Sequence, residues 1–418
     1  MSKEFQKTVI ILGAGASKDY GFPVGGEIVD KLIEENRNDS KGQVFFIGPE
    51  YGPEYEGRSY KSIFKFENTE KLKQYFREKF NLDLFNKQKC FKEDQYYHGW
   101  WSLKIFDFYR DFITNLELYR HSQIDYFLRT RKSYANFGKF MIAHEILNQE
   151  HEAKIKIENN SFDNDNKKHN WIGEFFAKII QNAQQPEDLD KIAESLTIVT
   201  FNYDLLFEYY LDRFCQGDNE WGEALERFKK KLKIIHIYGK LGRFGWEDPE
   251  LLNEIYGEEI PKNFVIRNFE QQNQFGFTNN KYCYEKVFEL SKGIQVIGGE
   301  KHQAILPHIK KAQEAIYDKN CQQIFFFGFG FDENNLIGPL GCELINKQDK
   351  FFGKNIYFTI HDEHEEEKIL LKVRDFIRGN HTRDEPQFKY VRKISSLLDN
   401  VFRESNRKEF HYFTSTLG

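Results

Sequence analysis

The sequence predicts an α/β protein with a doubly wound, mostly parallel sheet and a helical insertion. Three observations lead to this fold class. Short apolar runs such as Thr8–Leu12 and Gln323–Phe327 have the composition of strands that are buried on both faces. Helical segments alternate with such runs in the second half of the chain, which is typical of a parallel sheet. A long helical pattern, from Thr69 to about His151, separates the first strand from the later ones.

The first strand runs into the glycine-containing stretch Gly13-Ala14-Gly15-Ala16-Ser17. Glycines there let the backbone turn sharply and let a phosphate approach amide N–H groups with no Cβ in the way. The usual dinucleotide fingerprint has a third glycine, and Lys18 stands in its place. Taken alone, the stretch is as compatible with an ordinary tight turn as with a nucleotide site. Together with the alternating pattern it favours a Rossmann-like sheet.

The remaining elements follow in order. A short helix ends at Tyr20, because Gly21-Phe22-Pro23 interrupts it, and a second helix spans about 26–36. Residues 43–66 read as a strand-and-turn excursion, and residues 157–170 as a polar surface loop. Further strands are expected at 196–200, 232–238, 294–297, 323–327 and 356–360, with helices at 204–214 and 306–316.

These elements predict three regions. Residues 1–40 and 190–375 form the Rossmann-like core, residues 41–189 a mainly helical insertion, and residues 376–418 a charged, helical C-terminal tail. The five cysteines are scattered with no Cys-x-x-Cys pair, which argues against a zinc ribbon and against a disulfide framework. They are expected to be small core residues of a reduced protein.

The overall charge bears on possible partners. The 418 residues include 60 basic and 65 acidic side chains, for a net charge of −5 and a pI near 6.2. A duplex-binding groove would leave a basic excess, so direct nucleic-acid binding is not expected. No apolar run approaches the roughly 20 residues that span a bilayer, and no signal-peptide core is evident, so we expect no membrane association and a cytoplasmic location.

Polar residues follow three further predicted strands. Thr200-Phe201-Asn202-Tyr203-Asp204 stands where a strand gives way to a helix, His236 lies near the end of the next strand, and Phe327-Gly328-Phe329-Gly330-Phe331-Asp332 ends a third. Asn and Asp in such positions are commonly helix caps, and a lone His is more often a hydrogen-bonded core residue. Because parallel strands end at the same edge of a sheet, these side chains could also share a ligand crevice.

In this order, the four motifs resemble the sirtuin-like domain family of bacterial defence proteins. The resemblance spans about residues 8–365, and Gln123–Leu128 and Val296–Gly298 support it. It implies a site for NAD⁺ as substrate, without a metal ion. By resemblance, the pyrophosphate and the nearby ribose are held by Gly13, Ala14, Gly15 and Ser17, the nicotinamide side is covered by Phe22 and Pro23, and the adenosine half is lined by Gly328, Phe329 and Gly330.

The same resemblance implies catalytic roles. Asn202 matches the asparagine that positions the reactive ribose and a water, Asp204 matches the acid near the nicotinamide amide, and Thr200 lies beside them in the motif. Cleavage of the nicotinamide–ribose bond passes through an oxocarbenium-like state, so it needs ordered water and a base that works near pH 7 rather than a strong nucleophile. Histidine suits that task, and His236 is the candidate base.

Two departures from the family pattern stand out. Sirtuins have His directly before the glycine of this motif, whereas Tyr238 occupies that place here and His236 lies two residues earlier, on the same face of a strand but roughly 6.5 Å away. Either residue could occupy the position of the base. After Gly21-Phe22-Pro23, sirtuin deacylases carry Asp-Phe-Arg, whereas this chain has Val24-Gly25-Gly26.

These features favour an NAD⁺ hydrolase that gives nicotinamide and ADP-ribose and depletes NAD⁺ during abortive infection. A non-hydrolytic NAD or ADP-ribose sensor or assembly platform and a sirtuin-type protein deacylase are the alternatives. A nuclease is weaker, because the basic run 227–233 is typical of a solvated helix end. The run His361-Asp362-Glu363-His364-Glu365 contains metal-ligand types but is more typical of an exposed helix start. Asp362 could instead reach an adenosine ribose.

A toxic NADase must be held inactive until it is triggered, and about fifty residues follow the last motif. Regulation is therefore expected to lie in a homo-oligomer or in a second protein. Family members of this size resemble those paired with a HerA-like hexameric ATPase, which is the expected partner.

Overall fold

A computed structural model describes only part of the 418-residue chain. The described residues are 5–39, 46–48, 62–65, 78, 111–118, 124–158, 170–216, 221–258, 261–267, 283–296, 306–331, 335–336, 340, 354–359, 372 and 387–391.

The described residues form a mixed α/β structure with ten strands. These are β1 (Thr8–Leu12), β2 (Phe46–Gly48), β3 (Ser62–Lys65), β4 (Leu196–Thr200), β5 (Lys233–His236), β6 (Arg243–Phe244), β7 (Ile266–Arg267), β8 (Gln323–Phe327), β9 (Asn355–Thr359) and β10 (Gln387–Val391). Six of them form one sheet in the order β10, β9, β8, β1, β4, β5, and every pairing in it is parallel. The pairs β2–β3 and β6–β7 are separate small sheets.

The first strand, β1, lies in the interior of the large sheet. Thr8 is paired with Leu196 of β4 on one side and with Gln323 of β8 on the other, and the register continues to Leu12. Every residue of β1, β4 and β8 is buried. Both faces of the sheet are therefore covered at its centre, which explains why these strands are continuous apolar runs rather than alternating ones.

The described helices pack around the sheet, and several of them lie between β1 and β4 in the sequence. They are α1 (Gly25–Asp39), α2 (111–118), α3 (Ile124–Thr130), α4 (Ala135–Glu158), α5 (Trp171–Asn182), α6 (Pro186–Ser195), α7 (Leu206–Gln216), α8 (Gly222–Lys231), α9 (Pro249–Tyr256), α10 (Cys283–Ser291) and α11 (Pro307–Tyr317). Short 3₁₀ segments lie at Ala14–Tyr20, Lys132–Tyr134 and Pro261–Asn263. Helix α6 packs on α8, α11 packs on β5, and α4 packs on α10.

Most of the predicted core elements are confirmed. Gln323–Phe327 is a strand with the expected bounds, and the interruption after Tyr20 is present, with Gly21 at φ 95°. The helix expected near 26–36 is α1, and α2, α3 and α4 lie in the region expected to be helical. Cys215 and Cys321 are buried free thiols, as expected for core cysteines.

Two expected elements differ. The strand expected at 294–297 is reduced, within the described residues, to one antiparallel bridge between Ile294 and Gly239, because Ile294 meets a turn rather than the edge of the sheet. Residues 387–391, assigned to a helical tail, form β10 and extend the sheet beside β9. Alternation of polar and apolar residues in Gln387–Val391 suits such a strand.

The fold places four of the predicted motifs at one edge of the sheet. Because the strands are parallel, the chain leaves β1 at Gly13, β4 at Phe201, β5 at Ile237 and β8 at Gly328 on the same side. This carboxyl edge is where open α/β sheets carry their ligands. In the described part of the chain, no helix combines the length and the apolar character needed to cross a membrane.

Candidate functional site

The two glycine turns after β1 and β8 pack directly against each other. The amide of Gly13 donates to the carbonyl oxygen of Phe327 at 2.9 Å, and that of Gly15 donates to the carbonyl oxygen of Gly328 at 3.0 Å. A Cβ added at Gly13 would lie 2.5 Å from the oxygen of Gly328. Glycine is required here because two backbones meet. The amides of Gly13 and Gly15 already have protein partners, and the expected contact of Gly13, Ala14 and Gly15 with a pyrophosphate stays a prediction.

Gly328 is constrained more tightly than its neighbour Gly330. Gly328 has φ 57°, donates to Oγ1 of Thr359 at 2.8 Å, and would place an added Cβ 2.0 Å from the amide nitrogen of Ala16. Phe329 is buried with its ring centroid 5.0 Å from that of Phe201, so it packs in the core. An added Cβ at Gly330 meets nothing within 4 Å. Of these three residues, Gly330 offers space that a ligand could fill.

Ser17, Asn202 and Asp204 form one buried hydrogen-bonded group. Nδ2 of Asn202 donates to Oγ of Ser17 at 3.0 Å, and Oγ of Ser17 donates to Oδ2 of Asp204 at 3.2 Å. The exposed fractions are 5%, 8% and 7%. Ser17 belongs to the 3₁₀ segment that begins at Ala14, and that segment is tied to α5 by Trp171, whose Nε1 donates to the carbonyl oxygen of Ala16 at 2.7 Å.

Local backbone geometry orients Asn202. Its amide donates to Oγ1 of Thr200 at 3.0 Å, so Thr200, the last residue of β4, positions Asn202 two residues beyond the strand. Its side-chain Oδ1 is buried and has no hydrogen-bond partner among the described residues. An unpartnered buried acceptor is costly, so it marks a place where a water or a ligand hydroxyl would be stabilised.

Asp204 is a carboxyl group that titrates near neutrality. Burial raises its pKa, and the negative charge of Glu150 raises it further, to about 7. Its Oδ1 accepts from the amide of Leu206 at 3.1 Å at the start of α7, which works in the opposite direction but is outweighed. At neutral pH the group can therefore both hold and release a proton.

His236 is fully engaged inside the protein. It is 1% exposed, its Nδ1 lies 2.9 Å from the carbonyl oxygen of Asn202, and its Nε2 lies 2.7 Å from Oε1 of Glu208. Its backbone amide donates to the hydroxyl of Tyr256 at 2.8 Å. His236 thus contacts the main chain of Asn202 rather than the side chains of the Ser17 group.

Both ring nitrogens of His236 have partners. A carbonyl oxygen only accepts, so Nδ1 donates to the carbonyl oxygen of Asn202. Nε2 faces Glu208; burial raises the pKa of that carboxyl, but its interactions with His236 and Lys240 outweigh burial and hold the pKa below its usual value. Because both nitrogens are buried and bound to protein groups, the geometry argues against His236 as the general base.

The charged groups around this ring, Glu208, Lys240 and Glu247, were not predicted as site residues. Lys240 is 1% exposed, lies 3.7 Å from Glu208 and pairs with Glu247. Glu208 could have been found from the sequence, because it is the one residue in Leu205–Leu211 that is not apolar or aromatic. A single acid in such a run predicts a buried carboxylate with a cationic partner. We find no comparable signal for Lys240 or Glu247.

Tyr238 does not share the surroundings of His236. Strand β5 ends at His236, so Tyr238 lies in the turn that follows, and its hydroxyl donates to Oδ1 of Asn335. Its ring centroid is 5.7 Å from that of Phe201. Tyr238 therefore packs between the ends of β4 and β8.

Phe22 and Pro23 border a separate cleft of about 440 Å³ beside α1 and α4. The amide of Phe22 donates to the carbonyl oxygen of Ser17 at 3.3 Å, which links this loop to the buried group. None of Ser17, Asn202 and Asp204 lines the cleft. Its charged lining has four carboxylates against two ammonium groups, which disfavours a pyrophosphate: Glu27, Asp30, Glu34, Glu145, Lys18 and Lys31.

Asp362 lies outside the described residues, as does the rest of the run 361–365. Among the residues that are described, no group of three or more His, Cys, Asp or Glu side chains is arranged to hold a metal ion.

A scan against protein-family models, a search of the curated proteins and a search of the solved structures each found no match.

Proposed function

We propose that this chain is a Rossmann-like NAD⁺ hydrolase that cleaves the nicotinamide–ribose bond and gives nicotinamide and ADP-ribose. The observation that carries the proposal is the buried group of Ser17, Asn202 and Asp204 at the carboxyl edge of an all-parallel sheet, with Oδ1 of Asn202 unpartnered. NAD⁺ is proposed as the substrate because the four motifs resemble those of sirtuin-like defence proteins.

The chemistry divides between two side chains. Oδ1 of Asn202 accepts a hydrogen bond from the attacking water or from a ribose hydroxyl, and so orients it toward C1′. The C1′–N bond breaks and its electron pair leaves with nicotinamide, while the water oxygen bonds to C1′. The proton released from the water passes to Asp204, because its pKa of about 7 suits a base at neutral pH.

His236 has a different role in this scheme. It donates through Nδ1 to the carbonyl oxygen of Asn202, at 2.9 Å, and so fixes the main chain that carries the catalytic amide. Glu208 holds the ring from the other side at 2.7 Å. The base is therefore Asp204, and His236 is a positioning residue.

The glycine turns restrict how the substrate is held. The amides of Gly13 and Gly15 donate to carbonyl oxygens at the end of β8 and in the turn after it, so a pyrophosphate at this edge is met by other groups or displaces those bonds. The unpartnered Oδ1 of Asn202 and the open space at Gly330 are what the arrangement leaves for the substrate.

The test is nicotinamide release from NAD⁺ by the purified protein under activating conditions. Asn202→Ala should abolish release, and Asn182→Ala, which removes an asparagine outside the predicted motifs whose side chain donates to the carbonyl oxygen of Lys178, should not. Equal activity of wild type and Asn202→Ala would overturn the proposal. Intact NAD⁺ that stays bound to the wild type would replace it with a non-hydrolytic sensor, and release that needs an acylated peptide would replace it with a deacylase.

In a cell, the proposed activity would deplete NAD⁺ as a response to phage infection. Control by self-assembly or by a HerA-like hexameric ATPase is part of this proposal. Measuring the mass of the protein in solution, alone and with such an ATPase, tests it. A monomer that is fully active without a partner would contradict it.

A further inference from the structure

Glu150, on the insertion helix α4, reaches the turn that carries Asp204. The residue is 4% exposed, and both of its carboxylate oxygens are bound. Oε1 accepts from the backbone amide of Leu205 at 2.8 Å, and Oε2 accepts from an Nη of Arg267 at 2.6 Å. No motif in the sequence singled out Glu150 or Arg267.

These bonds hold the turn from two sides. Leu205 directly follows Asp204 and precedes α7, so the carboxylate of Glu150 meets one of the amides that a helix start leaves without an intrahelical partner. Arg267 also donates to the carbonyl oxygen of Leu241 at 3.0 Å, and the amide of Leu241 donates to the carbonyl oxygen of Tyr203 at 3.1 Å. The segment Tyr203–Leu205 is therefore fixed at both ends by one ion pair.

We propose that Glu150 is a positioning residue through which the helical insertion sets the orientation and the charge of Asp204. This inference rests on the reaction proposed above. It gives the insertion a role at the site although Glu150 belongs to none of the four motifs.

The charge effect has a defined sign. Two carboxylates, Glu150 from α4 and Glu208 from α7, act against ionisation of Asp204, whereas the electrostatic interaction with His236 of β5 acts for it. The other charges around these groups are Lys240, Glu247 and Arg267. Loss of the negative charge at Glu150 lets Asp204 ionise at lower pH. If Asp204 is the base, the acid limb of the rate moves to lower pH with it.

The first experiment uses the double variant Glu150→Gln with Arg267→Met, which keeps an oxygen facing the amide of Leu205 and leaves no buried unpaired cation. We expect the acid limb of kcat for nicotinamide release to move down, but by less than the roughly one pH unit that one nearby charge produces. Glu150 is among the groups that raise the pKa of Asp204, and loss of the cation of Arg267 offsets only part of its removal. The matched control is Asp318→Asn, which breaks an ion pair with Lys7 at the opposite edge of the sheet and should leave the limb in place. An acid limb that does not move in the double variant would overturn the inference.

The second experiment uses Glu150→Asp, which keeps the charge and the partner of Arg267 but withdraws the carboxylate by about 1.5 Å, one carbon–carbon bond. Here kcat should fall by about tenfold or more, because small displacements of catalytic groups are costly, while the acid limb stays unchanged. A Glu150→Asp variant with the kcat of the wild type would contradict the positioning role.

A measurement without turnover separates this inference from the proposed function. The ¹³C shift of the Asp204 carboxyl, assigned with Asp204→Asn, reports its titration directly. We expect a lower midpoint in the double variant than in the wild type, even if neither protein cleaves NAD⁺. If the wild type cleaves NAD⁺, Asn202→Ala does not, and the midpoint is unchanged in the double variant, only the inference about Glu150 fails.

Discussion

Nε2 of His236 lies 2.7 Å from Oε1 of Glu208, and both side chains are 1% exposed. Lys240 and Glu247 lie beside these two side chains as a buried ion pair, and Lys240 is also 3.7 Å from Glu208. Removing charges from water is costly, so each charge here depends on its partners. In the proposed reaction, His236 therefore belongs to the framework that holds Asn202.

Glu208→Ala should destabilise the protein strongly. The substitution leaves Nε2 of His236 and the ammonium of Lys240 buried without the carboxylate that they share, and breaking a buried ionic contact in this way costs about 3–5 kcal/mol. Urea unfolding followed by circular dichroism measures the change. The control is Glu254→Ala, since Glu254 is half exposed and its ion pairs with Lys233 and Lys311 should contribute about 1 kcal/mol or less. Equal costs for the two variants would contradict the buried ion pair.

Asp204→Asn should change how stability depends on pH. The folded-state pKa of Asp204 is about 7, above the ordinary value of 3.8, so between these values the folded chain holds a proton that the unfolded chain has lost. Proton binding by Asp204 therefore stabilises the folded wild type at low pH, and this stabilisation is lost as pH rises toward 7. The asparagine variant has no titrating group at position 204, so its stability does not change with pH for this reason.

Relative to the wild type, Asp204→Asn should therefore gain about 4 kcal/mol in its free energy of unfolding between pH 4 and pH 8, from a shift of about three units. Urea unfolding of both proteins at the two pH values gives this difference. A gap between wild type and variant that is the same at pH 4 and pH 8 would show that Asp204 titrates normally.

Gly328→Ala and Gly330→Ala should differ sharply in stability although they are two residues apart. Alanine at position 328 would adopt φ near 57° and press its Cβ to 2.0 Å from the amide nitrogen of Ala16, so we expect a loss of about 2–5 kcal/mol from backbone strain and overpacking. Alanine at 330 meets nothing within 4 Å and should cost less than about 1 kcal/mol. Thermal melting of the two variants measures the contrast. A similar melting temperature for both would mean that the turns do not meet.

The sheet could be predicted from the sequence because its central strands are buried on both faces. Each of the strands Thr8–Leu12 and Gln323–Phe327 has four consecutive apolar or aromatic residues after its first residue and is followed by glycine, so composition locates both strands. The polar residues after β1 and β4 could also be placed together, since parallel strands end at one edge. That much follows from local pattern and from the geometry of parallel sheets.

The surroundings of each side chain could not be predicted in this way. His236 and Tyr238 were expected on one strand face, but the two-residue repeat applies only while the strand continues, and β5 ends at His236. Glu150 lies in the polar run Gln149–Glu152, where a carboxylate normally faces solvent. Its burial depends on Arg267, which is 117 residues away in the chain. A contact over such a separation leaves no local pattern.

The position of β1 between β4 and β8 also determines when β1 can pair during synthesis. The partners of Thr8 are residues 196 and 323, so the first strand made must wait for neighbours that follow about 190 and about 315 residues later. At ribosomal rates of about 5–20 residues per second, the second neighbour arrives roughly 16–60 s after β1 has been synthesised. During that interval an apolar strand with two unpaired edges is open to aggregation, and we expect production of the protein to respond to chaperone supply.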